Sequence, residues 1–231
     1  MSLLSIQKKT PRRALRRFLC RGILTLLLAA LVVGGAYSAS GGGIYHKLLR
    51  LHVLAASDSA EDQALKLEVR DAILDAATPY LEGCRSAVEA EAALEAHRTE
   101  LLAAASERIA AAGHDESVDM VFSNEYYPTR EYENVTLPAG RYRSLQVKIG
   151  EAQGQNWWCV LYPPLCLAAS AAPEESKERD EDALLQAGLT KEETAIITGY
   201  DGENGSDGNK KFTLRFRFLE LFGELRETLG F

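Results

Sequence analysis

Cysteine and histidine side chains are the groups in this sequence that could carry covalent chemistry. Cys84, Cys159 and Cys166 follow the N-terminal apolar segment. A nucleophilic cysteine needs a neighbouring base to form a thiolate, and His52 is the base that we weigh for Cys159. This pair would define an exported cysteine hydrolase acting on cell wall or peptide. Neither residue lies in a local catalytic signature, so a packed or disulfide-linked cysteine is the preferred interpretation.

A disulfide is the second chemistry open to these cysteines. Cys159 and Cys166 flank a Pro-Pro bend and are near enough in sequence to close a local loop in an oxidising compartment. The spacing alone leaves the pairing open.

Other chemical motifs are missing from the sequence. It contains no metalloprotease helix motif, nucleophile-elbow serine, phosphate loop or zinc cysteine pair. Residues 201–212 invite comparison with a calcium loop, but Ser206 stands where glycine is needed and Phe212 where a bidentate glutamate is needed. We therefore expect a flexible turn there, with no catalytic residue, cofactor or metal in the chain.

The side chains best suited to contacting another protein are acidic, apolar and aromatic. Acidic residues line one edge of a helix predicted over residues 60–82, next to leucines at heptad spacing. Two adjacent tryptophans fall in a predicted strand, so their side chains must point to opposite faces of the sheet. Exposed aromatic clusters are common anchors of protein interfaces. The predicted receptor contacts are Leu67, Glu68, Asp71, Leu74, Asp75, Trp157, Trp158 and Tyr162.

Charge is distributed unevenly along the 231 residues, whose net charge is −7. Residues 1–22 hold seven of the 26 basic residues and no acidic residue, which leaves 19 basic against 33 acidic residues, or −14, in the rest. Nucleic-acid binding needs clustered lysine and arginine. The composition therefore argues against a nucleic-acid partner and favours a neutral or cationic protein surface.

The first forty residues have the order of parts of an export signal. The basic stretch precedes the apolar run 23–33, and small residues follow, with Ala36 and Ser38 at the spacing that a signal peptidase recognises. An uncleaved anchor is the alternative. We predict a signal peptide or membrane anchor over residues 1–40 and a single exported domain over 41–231, which meets the membrane only if the leader is uncleaved.

Hydrophobic patterns define the elements that must position these residues. Residues 48–54 read as a buried strand, and Ser59 with Asp62 predicts a capped helix beginning near Ala60. A second, alanine-rich helix is predicted over residues 86–112, closed by Gly113.

Strands and loops are predicted in the second half. Strands are indicated near 118–122 and 157–162, and over 142–149 by alternating apolar and polar residues. Mobile loops are expected near 168–185 and 201–210. The tail is predicted to be a strand running into a helix, with a wholly helical tail as the alternative. The predicted fold is α+β, with helices packed on one face of a mainly antiparallel sheet.

Two stretches together resemble a known family. The first is residues 51–71, beginning Leu51-His52-Val53-Leu54-Ala55-Ala56-Ser57-Asp58-Ser59. The second is Leu137-Pro138-Ala139-Gly140 with Leu145 and Asn156-Trp157-Trp158-Cys159-Val160-Leu161-Tyr162-Pro163-Pro164-Leu165-Cys166. Their order and spacing resemble stage II sporulation protein R of endospore-forming bacteria. Ala56 departs from the family's usual asparagine.

The resemblance implies a developmental signal rather than an enzyme. Members of this family are made in the forespore and secreted into the intermembrane space between forespore and mother cell. There they activate a membrane-embedded aspartic-type protease that cleaves pro-sigma-E to active sigma-E. The implied partner is that protease. The resemblance supplies no catalytic residue to transfer.

Overall fold

The computed structural model describes residues 21–29, 31–32, 43–132, 134–165, 173–199 and 221. The chain divides into two units, Met1–Ala39 and Ser40–Phe231. In the first unit, residues 21–29 and 31–32 are helical. None of the helices in these described ranges combines the length and apolarity needed to cross a membrane. The signal or anchor at residues 1–40 stays a prediction, and so does the tail beyond residue 199.

The second unit alternates helices with strands. Its described helices are α1 (Ile44–Lys47), α2 (Ala60–Leu81), α3 (Ala87–Ala96), α4 (Arg98–Ala111), α5 (Pro173–Gln186) and α6 (Lys191–Thr198). Its described strands are β1 (Leu49–Leu54), β2 (Val118–Tyr127), β3 (Arg130–Glu131), β4 (Thr136–Leu137), β5 (Gly140–Ile149) and β6 (Asn156–Tyr162).

Four strands form a mixed sheet in the order β2-β5-β1-β6, and β3 pairs with β4 as a separate hairpin. The β2–β5 and β1–β6 pairings are antiparallel, whereas β1 and β5 run parallel. The class α+β is confirmed, but the sheet is mixed. The chain leaves β1 through α2, α3 and α4, forms β2 and the β3–β4 hairpin, and only then enters β5. A connection of that length permits a parallel neighbour for β1.

Helix α2 begins where the capping pattern predicts. The hydroxyl of Ser59 accepts a hydrogen bond from the backbone N–H of Asp62 at 3.0 Å, which satisfies one of the free donors of the first turn. Gly83 follows the helix with a φ of +80°, a conformation that glycine adopts without strain. Both predicted ends of α2 are therefore confirmed.

Helices α2 and α3 contact β1, and α4 contacts β2. Along each strand, side chains point alternately to this face of the sheet and to the opposite face. On this face, five apolar side chains are fully buried: Leu51, Val53, Met120, Leu145 and Val147. This helix side is the core of the domain. The expectation of helices on one face holds for α2, α3 and α4, whereas α6 contacts β4 of the hairpin and α5 contacts α6.

The predicted helix over residues 86–112 is two helices. Helix α3 ends and α4 begins at His97, whose φ of −110° and ψ of 25° interrupt the helical geometry. The imidazole of His97 stacks on the ring of Tyr80 with the centroids 3.8 Å apart. Leu94 and Leu101, on either side of the break, are both fully buried. The break thus keeps leucines of both helices in the core.

Residues 173–186, which the sequence places in a mobile loop, form helix α5 instead. Three residues at four-residue spacing, Ser176, Asp180 and Leu184, are buried on one side of this helix. The side-chain amide of Asn134 donates to Ser176 Oγ at 2.8 Å and to Asp180 Oδ2 at 2.9 Å. The buried face is therefore largely polar, so a search for apolar periodicity misses it.

We expect Asn134→Ala to destabilise the packing of α5. The change removes the amide that donates to Ser176 and Asp180, a loss that costs about 1–3 kcal/mol, and α5 should become easier to cleave by protease. Urea unfolding and limited proteolysis measure both effects. Asn124→Ala, at an exposed position, is the matched control. Equal stability of the two variants would contradict the role assigned to Asn134.

Candidate functional site

The two stretches that carry the family resemblance lie side by side at one end of the sheet. In the β1–β6 pairing, Leu54 lies opposite Asn156 and His52 lies opposite Trp158. Beyond the strand ends, the backbone N–H of Gly154 donates to the carbonyl of Ala55 at 3.0 Å. The loop after β1 and the turn before β6 therefore form one continuous structure, which we call the motif junction (residues 55–59 and 153–157).

Polar side chains fix the motif junction. Asp58 Oδ1 accepts from the backbone N–H of Gln155 at 2.7 Å, and Lys66 Nζ donates to the carbonyl of Gln155 at 3.0 Å. Burial lowers the pKa of Lys66, and Arg70 lowers it further, while Asp58 opposes the change. A side chain at Gly154 would not fit, because its Cβ would lie 2.1 Å from the carbonyl oxygen of Ser57.

An exposed patch borders the motif junction. Leu67 is 37% exposed and Trp157 is 36% exposed, both high values for large apolar side chains. The guanidinium of Arg70 lies 4.5 Å from the centroid of the Trp157 ring and pairs with Asp71 at 2.7 Å. Leu67 is one helical turn before Arg70, so both lie on the same side of α2. We call Leu67, Arg70, Asp71 and Trp157 the contact patch.

The predicted receptor contacts are divided between surface and core. Asp71 and Asp75 are exposed, and Glu68 is partly exposed and pairs with Arg108 at 2.8 Å. Leu74 and Tyr162, by contrast, are 7% and 5% exposed, and therefore offer almost no area to a partner.

The hydroxyl of Tyr162 donates a hydrogen bond to the backbone carbonyl of Cys84 at 2.9 Å, so this side chain is bound to another part of the same domain. Burial raises the pKa of Tyr162, and the nearby Cys84 and Glu89 raise it further. Cys84 itself is a free thiol. These contacts give Tyr162 a packing role in the structure.

Trp157 and Trp158 point to opposite faces of the sheet, as the strand pattern predicts. Trp157 pairs with Val53 on the helix side, and Trp158 pairs with His52 on the other side. The guanidinium of Arg130 lies 3.8 Å from the centroid of the Trp158 ring. Trp158 is thereby covered in part by the β3–β4 hairpin, which leaves Trp157 as the more exposed of the two.

The face of the sheet opposite α2 carries a hydrogen-bonded network that the sequence did not reveal. His52 Nδ1 lies 3.0 Å from Glu125 Oε1, and His52 Nε2 lies 2.8 Å from Asn156 Oδ1. Glu125 also accepts from Gln146 Nε2 at 2.6 Å and from Ser144 Oγ at 2.9 Å. The one sequence signal for this network is a histidine inside an apolar strand. The other partners could not be found in the same way, because strand register decides which side chains meet.

These contacts set the protonation of Glu125. Burial by itself would raise the pKa of its carboxyl group, but the hydrogen bond and charge of His52 lower it, with further hydrogen bonds from Ser144 and Tyr127. The result is a pKa below the usual value. Glu125 is therefore a partly buried anion whose hydrogen-bond donors come from β1 and β5 as well as from its own strand β2.

Arg50, next to this network, is a fully buried cation. Its Nε donates to the carbonyl of Cys159 at 3.0 Å, and its Nη2 donates to the hydroxyl of Tyr132 at 2.5 Å. The rings of Tyr127 and Tyr142 lie 4.2 Å and 5.0 Å from the guanidinium carbon. Carbonyl, phenol and aromatic faces thus replace water around the charge.

The geometry does not bring Cys159 and His52 together as a catalytic pair. Cys159 lies opposite Leu51 in the β1–β6 pairing, whereas His52 lies opposite Trp158. Successive side chains of a strand point to opposite faces, so the sulfur and the imidazole lie on different sides of the sheet. Cys159 is disulfide-bonded, and its partner lies outside the described residues, as does Cys166.

The fold and the site define an α+β domain with an exposed contact patch beside a fixed motif junction, in which Cys159 and His52 lie on different faces of the sheet. Residues 45–172 match the family described as Stage II sporulation protein R. The chain belongs to this family of sporulation proteins, which confirms the resemblance carried by the two stretches.

A curated relative is the Stage II sporulation protein R of Bacillus subtilis (strain 168), which is 36% identical over 133 residues. The match covers 58% of this chain and 59% of the relative, so it spans less than two thirds of that protein. No solved structure matches the chain.

We expect Glu125→Gln to remove a pH-dependent contribution to stability. Because the pKa of Glu125 in the folded protein is below the usual value of a glutamate, the wild-type contribution is present above that usual value and is lost as pH falls through the folded pKa. Urea unfolding between about pH 3 and pH 7 should show a difference of about 1 kcal/mol near neutrality that shrinks in acid. Glu82→Gln, at an exposed position, is the control. A pH-independent difference would contradict the assigned role.

Proposed function

We propose that the chain is an exported signalling protein of sporulation. It is secreted from the forespore into the intermembrane space, where it activates a membrane-embedded aspartic-type protease of the mother cell. That protease then cleaves pro-sigma-E to active sigma-E. Membership of the Stage II sporulation protein R family supports the sporulation role, and the export leader predicted over residues 1–40 supports the location.

The observation that carries the proposal is the contact patch beside the motif junction. The stretches that identify the family are distant in sequence, yet Asp58 and Lys66 of the first bind Gln155, next to the second. Trp157 of the junction and Leu67 of the neighbouring helix α2 are exposed at the surface. Exposed apolar residues on a fixed scaffold suit the recognition of another protein.

Charge supports a protein partner with a neutral or basic surface. The chain beyond residue 22 has a net charge of −14, and Asp71 and Asp75 are exposed on α2. Like charges at an interface cost affinity, whereas complementary charges accelerate association. We therefore assign the contact to a neutral or basic extracytoplasmic segment of the protease, and we assign no role to nucleic acid.

The alternative of an exported cysteine hydrolase is less well supported. It needs Cys159 as a thiolate with His52 as its base, but these residues lie on different faces of the sheet. Cys159 is also disulfide-bonded, which removes the free sulfur that the reaction needs. A signal that acts by binding requires neither group.

Pro-sigma-E processing in a non-sporulating bacterium that expresses the pro-protein and its membrane protease tests the proposed function. We expect cleavage only when the full chain is also expressed and exported. A version with Lys8, Lys9, Arg12 and Arg13 changed to glutamate, which blocks export through the altered basic flank, is the control. No cleavage with a folded, exported chain would contradict the proposal.

Cysteine variants in the same assay separate the two functions. Cys159→Ser and Cys166→Ser should have the same effect on processing if the cysteines serve the fold. Loss of processing in Cys159→Ser alone, with normal folding and export, would instead favour the hydrolase.

Surface variants in that assay test the contact patch. Trp157→Ala should reduce processing strongly, since a tryptophan at the centre of an interface contributes about 2 kcal/mol or more, or roughly 30-fold in affinity. Asp71→Lys combined with Asp75→Lys should also weaken processing through charge repulsion.

Two matched controls accompany these variants. Val88→Ala changes an apolar side chain that is 54% exposed on α3, and Glu107→Lys reverses an exposed charge on α4. Both should leave processing unchanged. Normal processing in the Trp157 and Asp71/Asp75 variants, with wild-type levels of exported protein, would remove the contact patch from the proposal.

A further inference from the structure

A cluster of metal-ligating side chains lies outside the contact patch, where α2 meets the segment that joins α4 to β2. Asp62, His114 and Glu116 each offer one ligand atom, and these atoms lie within 4.8 Å of one another. Within the ranges that the structure describes, no other group of three histidine, cysteine, aspartate or glutamate residues meets this criterion. We propose that Asp62, His114 and Glu116 bind a divalent transition-metal ion of the zinc class.

The spacing of the ligand atoms is close to that of an occupied site. Zinc binds nitrogen and oxygen ligands at about 2.0–2.2 Å in a tetrahedron, which places the ligand atoms about 3.4 Å apart. The three side chains are partly exposed, so small torsional changes can close the remaining gap. A fourth position stays available for water.

The charge around His114 favours a bound cation. Its Nδ1 lies 3.2 Å from Glu116 Oε2, and its Nε2 lies 3.5 Å from Glu61 Oε1. With Asp62, three carboxylates therefore surround one imidazole. A neutral histidine can bind a metal through one nitrogen and donate from the other to a carboxylate, which is the usual arrangement around protein-bound zinc.

Glu116 brings a second carboxylate into the cluster. Its Oε2 is shielded from solvent, and its contact within the cluster is the imidazole of His114. A metal ion bound between these two side chains would take a ligand atom from each.

The fold holds the ligands independently of a metal. Asp62 lies in the first turn of α2 and accepts from Ser57 Oγ. His114 follows Gly113, which has a φ of +85°, and its backbone N–H donates to the carbonyl of Ile109 at 3.1 Å. A metal would link the start of α2 to the end of α4.

The ligand types select the class of metal. Imidazole nitrogen suits zinc and neighbouring transition metals, whereas calcium prefers a set of six to eight oxygen ligands. Two carboxylates and one imidazole therefore favour Zn²⁺ over Ca²⁺ and Mg²⁺.

Calorimetry and thermal unfolding of the purified, untagged full chain with Zn²⁺, Ca²⁺ or Mg²⁺ test the proposal. We expect one Zn²⁺ per chain and a rise in Tm that EDTA reverses. His114→Gln and Glu116→Gln should each lower Zn²⁺ affinity at least tenfold. His97→Gln, which changes a histidine near Glu100 on α4, should bind Zn²⁺ like the wild type.

Three outcomes would overturn the proposal: no Zn²⁺ binding by the folded chain, a stronger response to Ca²⁺ or Mg²⁺, or undiminished affinity in folded His114→Gln and Glu116→Gln. Circular dichroism establishes that the variants are folded. Binding of Co²⁺ with a tetrahedral absorption spectrum, lost in either variant, would support the assigned ligands.

Discussion

The pairing of β1 with a strand on each side is the constraint on which the rest of the domain depends. Leu49–Leu54 pairs in parallel with β5 and antiparallel with β6, so β1 is an interior strand of the sheet. Its alternating side chains supply both Leu51 and Val53 of the apolar core and His52 of the polar network. A shift of one residue in register would exchange these two sets between the faces.

Arg50 shows how strongly that register is specified. A buried charge is tolerated only when polar groups replace its water, and Arg50 obtains them from the Cys159 carbonyl and the Tyr132 hydroxyl. Its Nη1 has no partner among the described residues. The partners belong to β6 and to the segment between β3 and β4. The cation therefore couples the position of β1 to the hairpin that covers this face.

The sequence predicted the elements whose formation depends on local contacts. The cap at Ser59 and the buried strand before it are both found, because each has a signal in adjacent residues: a hydroxyl three positions before Asp62, and a short apolar run. The parallel β1–β5 pairing depends on the whole connection through the helices, which periodicity does not encode. Helix α5 was missed because Asn134 stabilises it through buried polar groups, and the break at His97 because its stacking on Tyr80 is a tertiary contact.

The residues of the candidate site also divide into those that local sequence patterns predict and those that depend on tertiary contacts. Trp157 and Asp71 are at the surface, as the alternation of strand and helix residues suggested, but Leu74 and Tyr162 are covered by neighbours that only the tertiary structure reveals. Partners from three strands form the network at Glu125, so no single stretch contains its pattern. The single histidine in the apolar strand β1 was its only trace in the sequence.

The rigidity of the motif junction has a direct consequence for recognition. Binding is weakened when side chains and loops must become ordered, and here Asp58 and Lys66 already fix the turn that precedes Trp157. Arg70 packs on the exposed indole and restricts its rotation. The partner that we propose would therefore meet a surface that is already ordered, so more of the contact energy would be retained as affinity. The proposed signalling role, which needs binding alone, would gain most from such an arrangement.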